Sequence, residues 1–195
     1  MSNAYRTKNS TGLINKNKKI NFSFNGHTYQ GYEGDTLASA LISNGIHLIG
    51  RSFKYHRPRG FLGVGVEEPN AMVQLHEGNK SEPNIMATEV ELVEGLKAKS
   101  QNCWPSVQFD IGEVNNLLNR FFPAGFYYKT FMWPKSFWMK IYEPFIRKAA
   151  GMGVAPLQPD PDRYEHNYEH CDVLVVGSGP SGLASALAAA KNGAR

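Results

Sequence analysis

Cysteine is scarce: the 195-residue chain holds Cys103 and Cys171 and no other. Two thiols in no Cys-x-x-Cys pair exclude a disulfide framework, a zinc site, and an iron-sulfur cluster held by cysteines of this chain alone. Long apolar runs are missing too. Nowhere do 18 apolar residues stand together, and no apolar stretch follows the first basic residues, so neither a membrane span nor a secretory signal is expected. The cytoplasm is the default expectation. Acidic residues are absent from positions 1–20, where Arg6, Lys8, Lys16, Lys18 and Lys19 supply five positive charges of a net +4. Everything after them sums to −1, so the basic pI belongs to a polar arm, and the case for nucleic-acid binding is weakened. With 42% hydrophobic residues the chain can bury an ordinary core in one or two domains.

The first folded unit reads from its punctuation. Ile20, Phe22 and Phe24 alternate with polar residues, Asn25-Gly26 suits a type I′ turn, and Thr28 to Tyr32 run back as the second arm of a β-hairpin. Asp35 or Thr36 can cap a short helix in "TLASALISNG", with Leu37, Ala40 and Leu41 on one face and Gly45 as its stop. Residues 71–75 and 87–95 read as strands, the second with Val90 and Leu92 inward and Glu89 and Glu91 outward. Two strands, a helix and two more strands give a ferredoxin-like β-grasp order. In plant-type ferredoxins the loop after this helix carries cluster cysteines spaced C-x4-C-x2-C. Here that stretch, "RSFKYHRPRGFLGVGVEEPN", is glycine-rich and cysteine-free.

Between Phe121 and Phe145, eleven of twenty-five residues are aromatic, too many for a solvated linker. Three prolines and three lysines argue against a membrane span. Burial against the rest of its own protein or a partner subunit is the preferred reading, ahead of an interfacial membrane contact or a base-stacking surface. "APLQPDPDRYEHNYEH" then has the composition of an exposed connector. The expected division is a basic flexible arm (1–19), a β-grasp domain (20–95), an aromatic-rich connecting segment (96–170) and the start of an FAD/NAD(P)-binding Rossmann domain (171–195).

That last segment carries the strongest chemical signal. Val173 to Val176 form a short β-branched run, followed by Gly177, Gly179 and Gly182 in GxGxxG and then an alanine-rich helix. Strand, glycines and helix in this order are what a dinucleotide-binding turn requires, with the helix N-terminus facing a pyrophosphate. Gly177, Ser178, Gly179, Pro180, Ser181 and Gly182 are therefore the candidate cofactor contacts; no catalytic or metal-ligating residue is assigned. A ribose-binding acid about 20 residues further on would complete the motif, but Arg195 stands only thirteen after Gly182, so the segment reads as the beginning of a longer domain. NAD and FAD are not distinguished by these residues. The basic patch of Arg51, Lys54, Arg57 and Arg59 suits internal or intersubunit salt bridges, contact with a nucleotide phosphate, or a solvated loop. His56 among them reads as a surface or hydrogen-bonding group rather than a general base.

"GYEGDTLASALISNG", "GRSFKYHRPRGFLGVGVEEPNAMV", "QNCWPSVQFD" and "CDVLVVGSGPSGLASALAAA", in that order, resemble the beginning of the alpha subunits of heterotetrameric sarcosine oxidases. The resemblance runs from about residue 20 to the end and is carried most specifically by "SFKYHRPRG". It implies a cluster-free ferredoxin-like domain, a dinucleotide domain holding NAD, and a distant folate-handling domain lying outside this sequence. It further implies beta, gamma and delta partner subunits, with FAD oxidising the N-methyl amine and FMN passing electrons to oxygen. Sarcosine would yield glycine with formaldehyde, or methylene-tetrahydrofolate, and hydrogen peroxide. This chain alone is expected to be inactive. Opine oxidases, hydrogen cyanide synthase and other amine dehydrogenases are related possibilities. A non-enzymatic β-grasp interaction module and a basic RNA-binding protein are rivals from other classes.

Overall fold

The computed structural model describes residues 5–7, 12–121, 125, 130–153 and 155–195. It divides into two compact units, Met1–Pro161 and Asp162–Arg195. In the first, β1 (Asn15–Phe24) and β2 (His27–Glu33) form the expected hairpin, turning on Asn25 and Gly26 with φ of 50° and 80°. Positive φ at both positions matches the twist of the two arms, which is why Asn-Gly suffices here. Ile20, Phe22 and Phe24 point into the core as their alternation requires.

Helix α1 (Leu37–Ser43) follows at once. Thr36 caps it: its hydroxyl accepts from the Ser39 amide at 3.1 Å while the Ser39 hydroxyl accepts from the Thr36 amide at 3.0 Å. Asp35, the other candidate cap, is instead buried beneath the helix start. Its carboxylate accepts from the Tyr32 amide, the Ser39 hydroxyl and the guanidinium of Arg6, the last at 3.1 and 2.6 Å. Arg6 thus anchors part of the basic N-terminal stretch to the domain, stacked on the Tyr32 ring 5.0 Å away. Thr36→Ala should cost about 1 kcal/mol, the usual worth of such a cap, read as a lowered urea midpoint.

The remaining strands are β3 (Gly50–Arg51), β4 (Pro58–Arg59), β5 (Met72–Leu75), β6 (Glu82–Met86) and β7 (Lys97–Ser100). β3 and β4 make a separate two-stranded ribbon; the others form one sheet in the order β2-β1-β7-β5-β6, with β1 and β7 parallel and the other pairs antiparallel. A hairpin, a crossing helix and a last strand slotted parallel between the two hairpins is the β-grasp arrangement. Leu37, Ala40 and Leu41 on α1 close the core over Phe22, Phe24 and Val73 on the sheet.

One expected strand is not there. Residues 87–95 make turns and a single bridge, Thr36 to Glu91, although Val90 and Leu92 are buried and Glu89 and Glu91 exposed as expected. Three of their backbone bonds go to the start of α1 instead: the amides of Leu37 and Ala38 donate to the carbonyls of Val90 and Ala87, and the Leu92 amide donates to the Asp35 carbonyl. The first amides of a helix have no partner within it. This segment supplies partners, and the sheet takes β6 and β7 as its fourth and fifth strands.

Helix α2 (Val114–Leu117) and helix α3 (Glu143–Ala149) lie beyond the sheet. The second unit contains helix α4 (Pro180–Lys191). Among the described residues no helix is long and apolar enough to cross a membrane.

Candidate functional site

Two places hold the sequence-predicted residues. The first is the glycine turn. Gly177 has φ of 113°, a conformation that side-chain-bearing residues rarely adopt. Gly179 flanks α4 in extended conformation, and Pro180 takes the first helical position, where its missing N–H costs nothing. Gly182 is the tightest point: a Cβ built there would lie 2.2 Å from the Gly177 carbonyl oxygen. The helix start therefore presses on the turn, and only glycine fits. A Cβ on Gly179 would meet nothing within 4 Å, so open space faces the turn where unpaired first-turn amides collect. Gly177 to Gly182 are thus brought together in one tight turn at the start of α4. After α4 the chain returns to Asp172, whose amide donates to the Arg195 carbonyl at 2.6 Å while its carboxylate accepts from the Arg195 amide at 3.0 Å. Val173 to Val176 are assigned to no strand, and Leu174 and Val176 are exposed. An apolar β-branched run needs a ladder neighbour on each side, and this unit provides none.

The second place is the basic patch, which the structure splits into four different environments. Arg51 is buried. Its guanidinium donates to the carbonyls of Val107 (2.9 Å), His56 (3.1 Å) and Gln108 (3.2 Å) and pairs with Glu113 at 3.1 Å. Arg57 donates to the Asn116 side chain at 2.8 Å and, like Lys54, lies over the Tyr55 ring. Arg59 is exposed on β4. His56 has φ of 51°, and its Nδ1 sits 2.6 Å from the buried Asp110 carboxylate, whose other oxygen accepts the amides of Trp104 and Gly112. Arg51, His56 and Arg57 form an internal clamp joining residues 51–57 to 102–116, with Arg51 wholly committed to it.

Cys103 adjoins this clamp. Burial pushes its thiol pKa up, the Asp110 charge adds to that, and Arg51 opposes it. Cys171 is exposed. Because the thiolate is the reactive form, iodoacetamide should label Cys171 at least about tenfold faster than Cys103 in the folded chain, with the difference vanishing in urea.

Two buried acids were missed as site residues. Asp110 is one, and Glu68, fully buried in the glycine-rich loop, is the other. The Glu68 carboxylate accepts four backbone amides, from Leu62 (2.7 Å), Gly63 (2.6 Å), Asn70 (2.7 Å) and Ala71 (3.2 Å). The legible signal was an acid pair, Glu67-Glu68, one residue beyond the Gly63-Val64-Gly65 run, where free amides are dense. Around the clamp and beyond it, Trp104, Phe109, Phe121, Trp133 and Phe145 remain largely exposed.

Residues 17–103 match the family model of a 2Fe-2S iron-sulfur cluster binding domain, in keeping with the mixed sheet. Over 184 residues, 94% of this chain, the sequence is 59% identical to sarcosine oxidase subunit alpha of Rhizobium meliloti (strain 1021). The chain is similar to sarcosine oxidase alpha subunits. A second such subunit, from Corynebacterium sp. (strain U-96), is 31% identical over 185 residues, 93% of this chain. The chain spans 19% of the length of the first relative and 14% of the second. Among solved structures, L-proline dehydrogenase from P. horikoshii aligns with a TM-score of 0.33 and 26% identity, over 43% of this chain and 16% of that one.

The donor set does not fit the cluster that the matched family is described by. Plant-type and bacterial clusters of this kind are held by four cysteine thiolates. Residues 17–103 contain Cys103 alone, and among the described residues no three His, Cys, Asp or Glu side chains gather as a metal site.

Proposed function

We propose that this chain forms part of the alpha subunit of a flavin-dependent amine oxidase complex that oxidatively demethylates sarcosine. The observation that carries this reading is the 59% identity, along nearly the whole chain, to a sarcosine oxidase alpha subunit. Within that complex the ferredoxin-like domain is cluster-free and structural, a role supported by its cysteine count. The turn from Gly177 to Gly182 begins the site of an adenine dinucleotide, read as NAD. Its amides would hold the pyrophosphate, and Gly179 would leave room for it. When bound there, such a group supplies hydride-accepting chemistry, though its part in this chain is one of binding.

The amine itself is expected on a partner subunit, with FAD and FMN serving oxidation and transfer to oxygen, and tetrahydrofolate accepting the one-carbon unit outside this sequence. Beta, gamma and delta subunits are the proposed partners and the cytoplasm the proposed location. The exposed aromatic residues Phe121, Trp133 and Phe145 support an assembled state, since rings left this open call for a cover. The test is to purify the native assembly through a tag on this chain and follow oxygen uptake. Sarcosine should drive uptake with formation of peroxide and formaldehyde; an assembly that ignores sarcosine but turns over another secondary amine would overturn the substrate assignment.

A further inference from the structure

The loop from Phe61 to Ala71 is built around negative charge from within. Glu68 Oε2 receives the amides of Leu62 and Gly63, and Oε1 those of Asn70 and Ala71. Glu67 Oε1 receives the amides of Val64 and Gly65 at 2.7 and 3.1 Å. Six backbone donors from ten residues therefore converge on two adjacent carboxylates. No cation pairs with Glu68 among the described residues. Concave sets of backbone N–H groups are anion sites, and iron-sulfur clusters are among the anions they hold. This loop lies in the stretch after α1 where plant-type ferredoxins carry their C-x4-C-x2-C cluster cysteines, and residues 60–71 contain no cysteine.

We propose that the Glu68 carboxylate is a resident anion that organises this loop in place of a cluster, making the domain a scaffold rather than a station for electrons. The inference rests on the cluster-free reading above and adds what replaced the cluster. The charge state agrees with the geometry. Burial pushes the Glu68 carboxyl upward, but the bonds from Gly63, Leu62, Asn70 and Ala71 outweigh it and leave the pKa below the ordinary 4.5. A carboxyl so depressed stabilises the fold fully above its unfolded value, and that contribution fades as pH falls through the folded value.

The test uses the whole chain and amide-resolved NMR. In Glu68→Ala, exchange at the amides of Leu62, Gly63, Asn70 and Ala71 should speed by about tenfold or more, corresponding to the loss of charged hydrogen bonds. Added formate, small enough to enter the vacated space, should restore protection there and not at Val64 and Gly65, which Glu67 holds. Should that variant not fold, the wild-type chain still decides: the four amide shifts should titrate together, with one midpoint below 4.5. Unchanged exchange in the variant, absence of formate rescue, or four unrelated titrations would overturn the proposal. Anaerobic incubation with ferrous iron and sulfide separates the two layers. Assembly of a cluster would sink both, whereas no cluster together with amides indifferent to Glu68 would sink this inference alone.

Discussion

Replacing Arg51 with methionine should destabilise the first unit by about 3–4 kcal/mol, because it strips hydrogen-bond donors from buried acceptors while keeping the volume. Arg51 is 7% exposed, and three of its four acceptors are the backbone carbonyls of His56, Val107 and Gln108, which cannot turn to water without moving the chain. Glu113, its ion-pair partner, is different: its side chain is 50% exposed. Glu113→Gln should therefore cost about 1 kcal/mol or less, as for other half-solvated pairs. For a chain of this size the Arg51 variant should melt about 10 °C lower. Equal losses from the two substitutions would mean that the ion pair, and not the carbonyl clamp, joins residues 51–57 to residues 102–113.

The second large effect falls on the glycine turn. Gly182→Ala should weaken dinucleotide binding by on the order of a hundredfold, about 2.7 kcal/mol, with little change in the melting of the first unit. The added methyl would sit 2.2 Å from the Gly177 carbonyl oxygen, and that neighbour is backbone, so the helix start must move away from the turn. The amides that are to face the pyrophosphate move with it. Gly193→Ala makes the control: a Cβ there meets nothing within 4 Å, though φ is 79°, so local strain without a blocked turn should leave affinity nearly unchanged. Fluorescence titration of the assembled complex with NAD and with FAD measures both and separates the two cofactors.

What the sequence made legible was local. Asn25-Gly26 and the Thr36 cap each fix their element through bonds spanning three or four residues, so hairpin and helix stand where they were expected. β6 and β7 were illegible for the converse reason. β6 carries Pro83 and a positive-φ Asn84 and stands only as the edge arm of a hairpin with β5, while β7, "KAKS", offers only Ala98 to the core and exists because β1, distant in sequence, pairs with it beside β5. Residues 87–95 showed the reverse error. Their alternation was real, but alternating burial also arises where a chain lies over a helix end, and periodicity does not say where the backbone bonds go. In the candidate site the same limit applied to charge. Arg51, Arg57 and Arg59 read alike as basic residues in one loop, and only tertiary contacts with residues 102–116 distinguish a buried clamp from a surface cation. Glu68 needed the loop's amides to be seen converging.

Dinucleotide content of the native assembly probes the account most directly. Purified through this chain, the complex should release an adenine dinucleotide in stoichiometric amount that is not the flavin of a partner subunit, and the Gly182→Ala assembly should release far less. An intact complex carrying no such dinucleotide and taking none up, or one whose content is indifferent to Gly182, would contradict it.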